Sequence, residues 1–237
     1  THGVFQELDP ATPGDVLSLA GQDVILDAIF TRLDEEVAAT PYKGVRGVAA
    51  ALNGGLNLAD GLAVKFTAAI AGGTEMTGAA NSLYATTGAV AFSSANILGE
   101  IKAYRDKLLA NKALTRSIRA EGYRIHINPS ILVLAMDAQD SALSNYDSVI
   151  TKNAAGNYVL KGLEKAEFIP SDWMDAVTDN FFGTLPDNLY YVYGIGAEKA
   201  KLIVEGRGRK LVILGDFKLA FDFADPRSIM LYKGYGL

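Results

Sequence analysis

The residues best suited to acid, base or ligand chemistry are few and scattered. There are two histidines: His2 near the start of the chain, and His126 inside a run that alternates apolar with polar residues. A multi-histidine metal site is thereby excluded. His126 would serve either as an acid or base at a strand edge or as a polar-face residue of a half-exposed strand, and the second reading is the simpler. Carboxylates cluster at Asp34-Glu35-Glu36, at Asp137 with Asp140, and at Asp222 with Asp225, as general acid/base work or a hard cation would require. The first set lies on a solvated helix end, the second lacks the oxygen-ligand spacing of a calcium loop, and the third brackets a strand end before Pro226. Structural roles are therefore favoured for all three. No G-x-S-x-G elbow exposes a serine nucleophile. Without cysteine, the chain has neither thiolate chemistry nor disulfides.

Two glycine motifs invite a phosphate reading. Gly194-Ile195-Gly196 follows LYYVY and matches the first half of a dinucleotide-binding turn, but the third glycine and the strand-turn-helix context are missing. Gly206-Arg207-Gly208-Arg209-Lys210 would clamp a phosphate, yet it separates two strand-like runs, where a hairpin turn is the simpler account. Trp173 and the group Tyr190, Tyr191 and Tyr193 would stack on a ligand or pack at a core or an interface, the usual use of such residues. No catalytic, cofactor-binding or metal residue is assigned, and the chain is expected not to be an enzyme.

Composition narrows the class further. With 237 residues and 49% of them apolar, the chain has enough material for one sizeable core or two small ones. A charged fraction of 21% with no long single-sign run argues against disorder. The net charge is −5, and scattered Lys and Arg show no basic stripe for reading nucleic acid. No apolar run reaches the roughly 20 residues that span a bilayer, and no signal-peptide pattern opens the chain, so a soluble protein is expected. The start at Thr1 fits either proteolytic maturation or trimming.

The elements that would carry these residues follow from periodicity. Residues 15–38 show apolar positions three and four apart, predicting one or two helices, which Pro41 and Gly44 end. Residues 44–95 are rich in Gly, Ala and Thr, predicting short helices around 58–71 and loops elsewhere. Ser93, Ser94 or Asn96 can cap NILGEIKAYRDKLLANK, an amphipathic helix with Ile97, Ile101, Tyr104 and Leu108 on one face. After Gly122, Tyr123 to Ile127 alternates as a strand, and Asn128-Pro129 starts another helix. DSVITK and NYVLKG form a hairpin about Ala155-Gly156-Asn157, and a short helix follows Ser171. NLYYVYG, AKLIVE and KLVIL read as strands. FKLAFDFA places Phe217, Leu219, Phe221 and Phe223 on one side of a further strand.

This order resembles a known family. The cassette SANILGEIKAYRDKLL, then YRIHINPSILVLAMDA, then a late PDNLYYVYG is similar to the axial domain of tailed-bacteriophage major capsid proteins, the Hong Kong-type shell fold. In that family a helix precedes a strand ending in Ser/Asn-Pro, a second helix follows, and a Pro-x-Asn turn later leads into a strand. The chain then closes with strands that return to the central sheet, as FKLAFDFADPRSIMLY would do here.

The resemblance implies an α+β fold with a central, mostly antiparallel sheet flanked by helices. It assigns residues 45–237 to the axial-type domain and 1–44 to an N-terminal segment with a helix, a remnant of an arm or peripheral domain. The long arm, the extended loop and an uninterrupted spine helix of the family are not identifiable, and no crosslinking pair can be assigned. The implied function is that of a major capsid protein self-assembling through hexamers and pentamers into an icosahedral shell. Such a protein resides in the virion after assembly in the host cytoplasm. Its contact with the packaged genome is non-specific; scaffold, portal or decoration proteins are further partners, and no cofactor or membrane is involved. Alternatives are a nanocompartment shell of the same fold, another virion component, or a small α/β ligand-binding protein or enzyme using Gly194 to Gly196.

Overall fold

In a computed structural model, residues 40–46, 59–73, 76–84, 91–142, 148–174, 180–193, 201–207, 210–216 and 219–233 are described, with single helical positions at 27, 28, 31, 35 and 38. The predicted 15–38 helix thus lies mostly outside the described residues.

Helix α1 (Leu62–Gly72) is followed by the short strand β1 (Ser82–Tyr84). Next come α2 (Ile97–Ala110), α3 (Lys112–Glu121), strand β2 (Tyr123–Ile127) and α4 (Pro129–Ser141). The remainder is mainly strands: β3 (Ile150–Lys152), β4 (Tyr158–Leu160), β5 (Leu163–Pro170), β6 (Phe181–Thr184), β7 (Leu189–Tyr193), β8 (Lys201–Arg207), β9 (Lys210–Asp216), β10 (Leu219–Phe223) and β11 (Met230–Lys233).

Seven strands form one sheet in the order β1-β11-β6-β2-β5-β4-β3. Its β1/β11 and β2/β5 pairs are parallel and the other four neighbouring pairs antiparallel. The expected mostly antiparallel sheet is therefore observed. Strand β2 sits at its centre, with Ile125 opposite Phe168 on one side and Gly183 on the other.

Both faces of this sheet are covered, because successive strand side chains point to opposite sides. On one face, Tyr123, Ile125, Ile127, Phe181, Met230 and Tyr232 pack with α2, α3 and α4. Ile97, Ile101, Tyr104 and Leu108 of α2 are fully buried there, at spacings of four, three and four residues. Burial of each such aliphatic side chain contributes about 1.5–3 kcal/mol. On the other face, Phe182 and Leu231 join Tyr42, Phe66 of α1, Met174 and Phe221 of β10 in a second cluster. Gly183 between them must lack a side chain: an added Cβ would run into the Tyr123 ring and lie 2.8 Å from Tyr104 Oη.

Four expectations are corrected. The helix expected to run from Asn96 through Lys112 stops at Ala110, because the Asn111 side chain turns to cap α3, accepting from Leu114 N–H at 3.1 Å. Such a local bond competes with helix continuation. Pro41 does not end a helix but sits in the helical turn Thr40–Lys43, which Gly44 closes by donating to Thr40 O at 3.0 Å. Strand β10 does not return to the central sheet; it pairs antiparallel with β7 as a separate ribbon, and only β11 makes the return. The chain is cut between them by Pro226, which opens a 3-10 turn capped by Asp225. Finally, Gly206, Arg207 and Lys210 are not loop residues between two strands but paired positions within β8 and β9, Gly206 opposite Leu211 and Arg207 opposite Lys210.

Candidate assembly surface

His126 faces the second cluster. Its ring lies 5.0 Å from Trp173 and 5.3 Å from Phe182, centroid to centroid. Ser171 Oγ donates to Ile169 O at 3.2 Å, which leaves His126 Nδ1–H as the donor to that hydroxyl, at 3.0 Å. Desolvation, with the like charge of Arg124 adding to it, pushes the imidazole pKa down to about 4. The ring is thus neutral and packed, yet only half-buried, and Arg124 on the same face of β2 is exposed, in keeping with a polar-face residue of a half-exposed strand.

The other candidates are dispersed by the fold. Glu35 is an exposed helical position, and its neighbours Asp34 and Glu36 lie outside the described residues, as does His2. Asp137 and Asp140 are exposed on α4. Asp222 pairs with Lys65 at 3.5 Å, whereas Asp225 accepts from Arg227 N–H at 3.0 Å to cap a turn. No group of three or more metal-binding side chains occurs among the described residues. Gly194 to Gly196 lie outside them, and Arg207 and Lys210 are paired positions at the end of the β8/β9 hairpin.

The aromatic candidates separate. Trp173, half-buried, packs against Tyr42, His126 and Phe182, with ring centroids 6.3, 5.0 and 6.0 Å away. Tyr190 and Tyr191 stay 50% and 53% exposed on β7, which marks them as surface available for contact; the Tyr193 side chain lies outside the described residues.

Two structural residues were not singled out from sequence. Glu100 Oε2 accepts from both Tyr84 and Tyr232 hydroxyls, at 2.7 and 3.0 Å, tying α2 to β1 and β11. Asn188 is buried behind Pro186 and Asp187 and links the β6/β7 turn to the chain between β10 and β11.

A surface pattern was missed as well. The basic residues that look scattered in sequence gather on α3, where Lys112, Arg116 and Arg119 are exposed and line a groove with Leu109 and Thr115. Their spacing of four and three is the readable signal. Among the described residues no helix is long and apolar enough to cross a membrane.

No family model matches the chain, and no curated protein matches it significantly. Among solved structures, it is similar to a chain of the satellite phage P4 procapsid including size determination (Sid) protein, with a TM-score of 0.55 and 11% identity over 92% of this chain. A chain in the capsid of an empty GTA particle aligns with a TM-score of 0.48 and 12% identity, over 91% of this chain and 66% of that one. The present chain spans 65% of the length of the procapsid chain, just under two thirds. It has the Hong Kong-type phage capsid fold, an α+β architecture with a mixed sheet between helices on one face and a smaller cluster on the other.

Proposed function

We propose that this chain is a structural shell subunit: a major capsid protein, many copies of which close into an icosahedral container for a genome. The observation that carries the reading is the match of nearly the whole chain to a procapsid chain at a TM-score of 0.55. Function would then be geometry, in which heterologous contacts between identical subunits close a shell through hexamers and pentamers. A role without enzymatic activity is part of the same proposal. It is supported by the separation of the carboxylates and the packing of His126 against Trp173 and Phe182, which leave no acid and base facing one another at a described cleft. The virion is the place of such a protein, with packaged nucleic acid held non-specifically and scaffold, portal or decoration proteins as further partners.

Electron microscopy and size-exclusion chromatography of the concentrated protein test the reading. Closed particles or hexameric and pentameric rings are expected. A strictly monomeric species over the whole concentration range would refute it.

A further inference from the structure

We infer that the basic face of α3 in one copy docks against the acidic face of α4 in the next copy, giving the heterologous contact that a shell of identical subunits needs. The inference rests on the shell reading and names the surfaces that reading leaves open.

The two faces are complementary in charge and in apolar content. On α3, Lys112, Arg116 and Arg119 are exposed, and none has a hydrogen-bond or ion-pair partner among the described residues. Leu109, 36% exposed, lies in the same groove. On α4, Asp137 and Asp140 are exposed, likewise without a partner among the described residues, and Val133 on the same side is 55% exposed. Val133, Asp137 and Asp140 repeat the four-and-three spacing of Lys112, Arg116 and Arg119, which places each trio along one helix face. Arg116 and Arg119, three apart, match Asp137 and Asp140, also three apart, so two ion pairs can form together.

One cation borders the acidic face but makes no ion pair with it. Lys152 lines the same hollow as Asp140, but its ammonium lies 4.9 Å over the Tyr158 ring.

The faces also lie on different helices that each pack against α2, with a smaller contact to each other than to it. One copy therefore carries both halves of the contact on separate helices, as a head-to-tail contact requires. An exposed apolar residue in each patch favours a protein partner over phosphates, which need cations alone. Like charges brought together at such a contact would oppose it strongly.

Two charge-reversed chains test the inference: Arg116→Glu with Arg119→Glu, and Asp137→Arg with Asp140→Arg. Circular dichroism melts first establish that each folds as the parent does. By light scattering and sedimentation, each alone should need at least ~10-fold more protein to associate than the parent, since like charges now meet. An equimolar mixture should recover association, because each variant supplies the face that the other lost.

Parent-like assembly of either variant alone, or a mixture no better than its components, overturns the docking inference and leaves the shell reading standing. A mixture that pairs although the parent never closes a particle supports the contact and refutes the shell. Should Arg116→Glu/Arg119→Glu assemble normally but lose nucleic acid that the parent retains, the α3 face serves phosphates and the inference fails.

Discussion

Neutral His126, packed against two aromatic rings, gives stability a definite dependence on pH. In the unfolded chain imidazole binds a proton below about pH 6.5, whereas in the fold it does so only near pH 4. Between these values the unfolded state carries more protons, so stability rises with pH. The contribution is complete above about pH 6.5, falls as the pH drops toward 4, and levels off below it. A shift of this size corresponds to ~3 kcal/mol. His126→Phe keeps a ring against Trp173 and Phe182 but cannot titrate. Urea midpoints measured at pH 4.5 and 7.5 should therefore converge in this variant relative to the parent. An unchanged pH slope would show that His126 is not the group that senses acid. The sequence displays His126 as a polar residue in an alternating strand but not what covers that face: Trp173 and Phe182 come from segments about fifty residues away, and Tyr42 from before the whole cassette.

At the scale of elements, the turn between β6 and β7 depends on one amide. Asn188 Nδ2 donates to Thr184 Oγ1 at 2.8 Å and to Ser228 Oγ at 2.9 Å, while its Oδ1 accepts from Ala224 and Asp225 N–H at 3.1 and 2.7 Å. Asp187 just before it has a φ of 61°, a conformation that Asp tolerates better than most residues. Asn188→Ala would leave the part-buried Asp225 N–H and the buried Thr184 and Ser228 hydroxyls without this partner, while Ala224 N–H keeps the Asn188 carbonyl at 3.0 Å. The expected loss is ~2–4 kcal/mol, read from denaturant midpoints. A loss under ~1 kcal/mol would mean that water replaces the amide at no cost. The Pro186-Asp187-Asn188 motif was legible in sequence as a turn before a strand; what it holds together was not, because Ala224 and Ser228 lie almost forty residues on. Strand β2, the Asn128 cap and the β3/β4 hairpin were equally legible, since capping, alternation and turn residues are local signals. By contrast, β6 reads FFGT and is buried on both faces, so it shows no period of two. The break at Asn111 was hidden because the apolar spacing of α2 runs almost to it, and only the competing side-chain bond to Leu114 N–H stops the helix.

For the molecule as a whole, the decisive feature is that the two clusters share strands. Phe181 and Phe182 are consecutive in β6, one in the helix-covered cluster and the other in the smaller one; Met230 and Leu231 divide the same way in β11. Neither face of the sheet can lose its packing without exposing strands that the other needs. Unfolding should then be a single cooperative event, although the covering layers are unequal in size. The chain carries its own probes for this. Its one tryptophan is Trp173, packed on the smaller cluster beside Phe182, so intrinsic fluorescence follows that side. Far-UV circular dichroism is weighted toward α2, α3 and α4 on the other. In urea, the two signals should give the same midpoint and slope within error. A fluorescence transition at clearly lower urea than the ellipticity transition would mean that α1 and the β7/β10 ribbon detach as a unit. Shared strands would then have failed to couple the two faces, and the fold would shed its smaller layer instead of unfolding as one body.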